Sequence, residues 1–314
     1  MSRGLKPFYK GGPIRSVQAL AVVAGVSADE ITSVADNIAA HYRPVILRKD
    51  DDSIRECWDP SNVLRGIQGR LVSQLLRNVF YPPYLHGSLP KRSYVSNAND
   101  HLGAKWCICM DVKSFFPSVA AELVHDAIWQ KFFGCSDEVS ERLTQLTTLN
   151  GLLPQGSLTA SYLANLALWR HEPRLVRVLQ DSGMTYTRYV DDISISARSY
   201  PTPEMKSQCV HETNLMLRLN GLCLKRKKTT VSTSGKGIKI GGLLVGRKVG
   251  RSKREREAIA TAVLGYEGVA VTLTLKDAQS LKNSLLGTLS ELRRFYPREA
   301  LHLREFLERK NTQQ

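Results

Sequence analysis

The sequence holds no Cys-x-x-Cys pair, no apolar run of 18 residues and no Gly-rich phosphate loop ending in Lys-Ser or Lys-Thr. Its six cysteines (Cys57, Cys107, Cys109, Cys135, Cys209 and Cys223) are scattered through a 314-residue chain. A chain of that length buries a core without cross-links, so reduced thiols are expected rather than a disulfide framework. Without a continuous apolar stretch no membrane-spanning helix is expected, and the opening Met1-Ser-Arg-Gly-Leu-Lys6 lacks the apolar run of a signal peptide. The expected compartment is the cytoplasm, with no membrane partner. No Ser/His/Asp pattern or phosphate loop supports a hydrolase, and the histidines have no partner at metal-ligand spacing. Acidic residues are scarce as well. There are 29 Asp and Glu against 44 Lys and Arg, a formal net charge of +15. Residues 221–314 alone hold 20 basic and 8 acidic residues, so +12 of that charge lies in the C-terminal third. Such a surface suits a polyanionic partner.

The hydrophobic share of 42% allows one large core or two to three subdomains. Two amphipathic patterns between Ile14 and Ala40 outline a helix-turn-helix, with Ser27 and Glu30 spaced as a capping box; two helices packed on a core are the commoner meaning of that outline. Arg43–Leu47 and Ser53–Trp58 flank a charged tip and predict a hairpin. The Asp50–Asp52 run at that tip reads as a solvated turn rather than a metal cluster. From Asn62 to Phe80, Val63, Leu64, Ile67, Leu71, Leu75, Leu76 and Val79 fall at helical spacing. Lys105–Met110 is short and apolar, as a central strand ending at Asp111 would be. After Leu153-Pro-Gln-Gly156, Ser157–Trp169 reads as a helix entered through a turn. Met184–Ala197 alternates on both sides of Val190-Asp191 and predicts a second hairpin with carboxylates at its tip. Ile238–Val245 is expected as a β-element around Gly241-Gly242, and the chain beyond it as basic helices. In the last of these Leu281, Leu285, Leu289 and Leu292 line one face and leave Arg293, Arg294 and Arg298 free for phosphates.

One carboxylate at a strand end and two at a hairpin tip are an economical way to hold two Mg²⁺ ions about 3.5–4 Å apart. Asp111 and Asp191 form the expected pair. Asp192 is expected to tune the site, since adjacent residues on a strand point to opposite faces. Any one Asp-Asp dipeptide is an ordinary surface turn; order and context are what give this one meaning. The chain reads Asp111-x-x-x-Phe-Phe116, then Leu153-Pro-Gln-Gly156, Tyr189-Val-Asp-Asp192 and Gly221-Leu-x-Leu-x-x-x-Lys228-Thr229.

That succession resembles the palm motifs of the reverse transcriptase family. Upstream, Arg55-x-x-x-x-Pro60-x-x-x-Leu64-Arg65-x-Ile67-Gln68 is similar to the fingers motif of bacterial members, and His86-Gly87 with Lys91-Arg92-Ser93 fits the segment after it. Asn97-Ala-Asn-Asp-His101 matches the N-A-x-x-H element of retron reverse transcriptases, as does a length without maturase or endonuclease extension. One departure is Ile240-Gly241-Gly242, where retron enzymes carry Val-Thr-Gly.

The resemblance implies an α+β right-hand polymerase: N-terminal helices and fingers over 1–104, palm over 105–246, and a basic helical thumb over 247–314. It implies RNA-directed DNA synthesis with two Mg²⁺ ions, or Mn²⁺ in their place, held by Asp111, Asp191, Asp192 and the backbone carbonyl of Val112. Lys228 would support departure of pyrophosphate, with simple phosphate attraction as its rival. Arg48 or Lys49, and Arg55, would meet the triphosphate. Phe116 would exclude a 2′-hydroxyl, Phe115 and Phe116 both being core otherwise, and Gln155 would contact the sugar. Asn97, His101, Arg247, Lys248, Arg251, Lys253, Arg254, Arg293 and Arg294 would touch RNA or DNA. Expected partners are dNTPs, a structured non-coding RNA serving as template and primer, its RNA–DNA duplex product, and a separately encoded effector protein. Such an enzyme would make multicopy single-stranded DNA in antiphage defence. Other bacterial reverse transcriptases and a non-catalytic RNA-binding scaffold are the alternatives.

Overall fold

The computed structural model describes residues 4–48, 52, 54–200 and 202–309. Its centre is a four-stranded antiparallel sheet in the order Met184–Tyr189, Asp192–Ala197, Trp106–Asp111, Thr230–Thr233. The two faces of this sheet differ because side chains alternate along a strand. Trp106, Ile108 and Met110 enter the main core, with Ile193 and Ile195 beside them. Cys107 faces the other way, into a second, smaller cluster with Ala98, Ala104, Ile238, Ile240, Leu243 and Val245. That second face carries small polar groups, Thr187, Ser194 and Ser196, all buried. A strand with one large apolar face and one small polar face needs two different covers. Helices supply the first, Ala160–Leu166 and Glu172–Asp181 among them. Helix Tyr94–Asn99 and the small sheet of Ile238–Ile240, Leu243–Val245 and Val249–Gly250 supply the second.

His101 fastens that second cover. Its ring nitrogens lie 2.6 Å from Ser196 Oγ and 2.7 Å from Thr187 Oγ1, so one nitrogen donates and the other accepts. Burial pushes its pKa down to about 4, against a smaller upward pull from Asp100. Between that value and the ordinary His value near 6.5 the unfolded chain binds a proton the folded chain refuses, so stability falls as pH drops through this window. The wild type is expected to lose on the order of 3 kcal/mol between pH 7 and pH 4 from this residue alone. Urea unfolding at both pH values, compared with His101→Gln, checks it; a pH-independent gap between the two proteins would refute it.

The predicted hairpin is present as Tyr42–Arg48 paired with Ile54–Pro60, in a register that sets Arg48 opposite Ile54 and Leu47 opposite Arg55. Lys49, Asp50 and Asp51 lie outside the described residues; Asp52 is exposed. The helix expected over 62–80 ends at Gln74, because Leu76–Asn78 tightens into a 3₁₀ turn and Val79–Phe80 pairs with Phe8–Tyr9. Val63 is 45% exposed rather than core. Likewise the helix expected over 157–169 is shorter, Ala160–Leu166, entered where Ser157 Oγ accepts the Ala160 N–H. Val17–Ala24 and Ala28–Asp36 bury their apolar sides in the main core, which accounts for the helix-turn-helix outline by packing. Gly241 and Gly242 are a two-residue turn with φ of +55° and +80°, the conformation that favours glycine in a tight hairpin.

The last four helices, Lys253–Leu264, Tyr266–Ala270, Leu275–Arg293 and Pro297–Arg309, close around a third core. Leu285, Leu289 and Leu292 sit in it as the sequence spacing predicts, with Leu281 at its margin. Polar contacts tie this unit to the second cluster. Tyr94 donates its hydroxyl to Glu291, Lys239 Nζ lies 2.9 Å from Glu255 Oε1, and Tyr296 donates to the Arg251 carbonyl at 3.0 Å. All six cysteines are free. Among the described residues no single helix is long and apolar enough to cross a membrane.

Candidate active site

Asp111 ends one central strand and Asp192 begins its neighbour, and the two are cross-strand partners. Cross-strand partners share a face, so alternation places Asp192 beside Asp111 instead of turning it away. Asp191 is exempt from alternation because it lies in the two-residue turn between Tyr189 and Asp192. All three line one cleft of about 780 Å³, together with Arg55, Phe116, Gln155 and Lys228.

The electrostatics are those of like charges held close. Desolvation, then Asp191 and Asp111, push the Asp192 carboxyl up to about 6. Asp192 is nonetheless solvent-exposed. Asp191 is raised as well, first by desolvation, although a backbone hydrogen bond, Lys228 and Arg55 pull it back. Lys228 Nζ sits 2.9 Å from Asp111 Oδ2, and that bond raises the lysine in turn. Two raised carboxyls beside a third that holds an ammonium form a cation-seeking site. Among the described residues no group of three His, Cys, Asp or Glu is close enough to hold a metal ion as it stands. The donor chemistry nevertheless fits hard divalent cations, which take carboxylate oxygens on an open face.

Backbone strain gathers here too. Among the described residues six non-glycines have positive φ, and four of them, Ser88, Ser114, Asn150 and Val190, line this cleft. Strain of about 1–3 kcal/mol per residue persists where the surrounding structure over-determines the backbone, most often at functional sites. Gly156 has φ +112° and lies so close to strand Ile54–Pro60 that an added Cβ would fall 2.6 Å from the Trp58 carbonyl oxygen. Next to it the Trp58 N–H donates to the Gln155 carbonyl at 2.7 Å.

Residues 47–267 match the family described as Reverse transcriptase (RNA-dependent DNA polymerase). The chain belongs to the reverse transcriptase family.

Curated proteins similar to this reverse transcriptase include bacterial retron reverse transcriptases. It is 29% identical to the retron Se72 reverse transcriptase of Salmonella heidelberg, over 96% of this chain and 81% of that protein. The retron Ec48 reverse transcriptase of Escherichia coli is 31% identical over 76% of this chain and 62% of its own length. For the Escherichia coli retron Ec86 reverse transcriptase the figures are 30%, 68% and 66%. The chain therefore spans a little under two thirds of the latter two. A solved telomerase from Candida albicans, in complex with a TWJ fragment of telomeric RNA, superposes with TM-score 0.46 at 11% identity over 85% of this chain and 59% of that one, too loosely to bear on function. As a family member the reverse transcriptase has an α+β polymerase fold and is an RNA-directed DNA polymerase.

Of the residues singled out from sequence, the cleft gathers Asp111, Val112, Phe116, Gln155, Asp191, Asp192, Lys228 and Arg55. Arg48 is not brought there. Its cross-strand partner Ile54 does line the cleft, but Arg48, the last described residue of its strand, does not, and Lys49 is outside the described residues. Phe115 is the core member of its pair and Phe116 the half-buried one facing the cleft. Arg247, Lys248, Lys253, Arg254, Arg293 and Arg294 are exposed, and Arg251 is half-buried.

Asn97 and His101 require correction. At 2% and 1% exposure neither has surface to offer a nucleic acid. His101, just past helix Tyr94–Asn99, bonds the polar face of the sheet, while Asn97 is buried in the helix with its Oδ1 unpartnered among the described residues. Other residues of the quoted motifs are also internal. Gln68 bridges Tyr42, Leu146 and Leu158, and Arg92 clamps the Tyr81, Pro82 and Leu85 carbonyls. His86 stands between Ser96 Oγ at 2.9 Å and Asp100 Oδ2 at 3.0 Å, a constellation that resembles a hydrolase triad. The Ser96 hydroxyl is spent on the helix cap, donating to the Ser93 carbonyl, so it is no nucleophile. Two residues escaped the sequence reading altogether. Arg188 and Glu172 form a fully buried ion pair behind the carboxylates, and the available signal was a charge at an inward strand position.

Proposed function

We propose that this protein is a retron-type reverse transcriptase that copies part of a cognate structured non-coding RNA into multicopy single-stranded DNA. The observation that carries the reading is the convergence of Asp111, Asp191 and Asp192 with Lys228, Phe116 and Gln155 in one cleft. A scaffold that only held RNA would need neither the carboxylates nor the lysine.

In this reading residues 1–104 supply the N-terminal helices and fingers, 105–246 the palm, and 247–314 the thumb. Asp111, Asp191, Asp192 and the Val112 carbonyl would hold two Mg²⁺ ions. When bound, such ions ease loss of the primer hydroxyl's proton and offset charge on the leaving oxygen. Arg55, already facing the carboxylates, would pair with the triphosphate. Phe116 would lie beneath the sugar and leave no room for a 2′-hydroxyl, while Gln155 would fix the sugar's position. Lys228, once released from Asp111, would donate a hydrogen bond or proton to departing pyrophosphate. The exposed basic residues from Arg247 to Arg254, with Arg293 and Arg294, would follow the RNA–DNA backbone by charge instead of by sequence. The primer would be an internal 2′-hydroxyl of the RNA itself. A separately encoded effector and a role in antiphage defence complete the proposal by resemblance to retrons.

Nucleic acid that copurifies with the protein tests it. Expressed with its flanking locus, the protein is expected to carry a branched species in which DNA is joined to RNA through a 2′-oxygen. Sequencing before and after debranching reads this directly; ordinary host RNA with no DNA attached would count against the retron reading.

A further inference from the structure

The carboxylate turn is two residues long, and its first residue is Val190, with φ +57°. Glycine occupies such backbone freely, whereas a β-branched side chain resists it. The turn must be held from outside, and Arg188 stands directly behind it.

The guanidinium is fully buried, at 0% exposure, opposite Glu172 at 1%. Arg188 Nε and Nη2 donate to the two Glu172 oxygens at 2.6 and 2.9 Å. Nη2 also donates to the Asn165 carbonyl at 3.0 Å, and Nη1 to the Val190 carbonyl at 3.0 Å. Tyr186 adds a hydroxyl donated to Glu172 at 2.7 Å. From the other side Gly87 presses on the turn. A Cβ there would lie 2.4 Å from both the Val190 nitrogen and its Cγ2. The Gly87 carbonyl is itself fixed by Asn165 Nδ2 at 2.8 Å. Asn165 thus touches both jaws of the clamp.

A buried ion pair is a poor device for stability alone, because a well-packed apolar pair does as well or better. An apolar pair could not donate to the Val190 carbonyl. Planar guanidinium geometry also lets one side chain hold Glu172 and still reach the turn. We propose that Arg188 is a positioning residue for polymerisation: anchored by Glu172, it holds the strained Val190 turn so that Asp191 and Asp192 stay in line with Asp111. The inference rests on the reading of these three carboxylates as catalytic. Arg188 itself touches no reacting group.

The test uses the full chain with a primed RNA template. Arg188→Met/Glu172→Gln removes both charges, so none is left buried and unpaired, and its melting midpoint is expected to stay near wild type. Its kcat is expected to fall roughly 100-fold, the scale of an ångström-level misplacement, with the dNTP KM changed less than about threefold. Amide exchange at residues 189–192 should quicken in the free protein. Adding Val190→Gly is expected to recover roughly tenfold in kcat, since glycine holds this backbone without a clamp. Arg188→Lys, which keeps the charge but cannot span both partners, should show the same kcat loss and covers the case in which the double variant fails to fold. Wild-type kcat in a folded Arg188 variant overturns the inference, as does activity that merely follows the melting midpoint with no gain from Val190→Gly. Equal extension by wild type and Asp191→Asn would instead remove the reading of the carboxylates, whatever Arg188 does.

Discussion

Asp191→Asn is expected to lower RNA-templated primer extension at least about 1,000-fold, because one neutral amide replaces a carboxylate in a site whose chemistry is charge compensation. The fold should not suffer. Asp191 sits with its pKa raised by desolvation and by Asp111, so its charged form is held at a cost that asparagine does not carry. Its main-chain carbonyl, which accepts the Val112 N–H at 2.9 Å, is unchanged by the substitution. An unaltered or slightly higher melting midpoint is therefore expected beside the lost activity, a separation typical of sites that trade stability for function. Single-turnover extension with a DNA primer on an RNA template, and thermal unfolding of the same preparation, read both sides. Extension within tenfold of wild type would remove Asp191 from the site.

Gly156→Ala is the second large effect, and it acts through the fold. The new methyl group would meet the Trp58 carbonyl oxygen at 2.6 Å and the Trp58 nitrogen at 3.2 Å, backbone atoms that cannot rotate aside. At φ +112° an alanine is also strained in its own right. A destabilisation of roughly 2–4 kcal/mol is expected from contact and strain together. Relief requires the Ile54–Pro60 strand to move off the Pro-Gln-Gly turn, which breaks the 2.7 Å bond from Trp58 to Gln155 and carries Arg55 away from the carboxylates. The dNTP KM should rise with the loss of stability. Gly151→Ala is the control: its φ is +75° but nothing lies within 4 Å of the added carbon, so only the conformational penalty of about 1–2 kcal/mol remains. Equal urea midpoints for the two variants would show that the Trp58 contact is unimportant.

Much of the central sheet was legible because its signals are local. Alternation on either side of Val190-Asp191 marked the hairpin, and the five apolar residues Trp106–Met110 before Asp111 marked its partner strand. Gly241-Gly242 announced a turn. What could not be read depended on contacts far apart in the chain. His101 reaches Ser196 and Thr187, 95 and 86 residues away, and nothing near it in sequence says that its face is inward. A motif that named it for nucleic acid gave no orientation. Arg48 and Lys49 could not be told apart in the sequence; Lys49 lies outside the described residues, and Arg48 does not line the cleft that Arg55 enters. The assumed alternation at Asp191-Asp192 failed for a simple reason: one of the pair belongs to a turn and the other to a strand. Helix 62–80 was overextended because its last apolar residues serve a strand pair that involves the distant Phe8–Tyr9.

The helical unit at the C-terminus keeps its apolar residues largely to itself and meets the rest of the protein through Tyr94–Glu291, Lys239–Glu255 and the Tyr296–Arg251 bond, with Phe295 packed on the neighbouring cluster. Polar contacts of this kind can be exchanged for water one at a time, whereas sliding a dry apolar interface costs contact area all at once. After each nucleotide is joined, a copying enzyme must let the duplex advance by one step without disturbing the groups that join the next. In the proposed reading a joint of replaceable polar bonds would give slack on the side that follows the duplex, while the carboxylates remain fixed in a sheet buried on both faces.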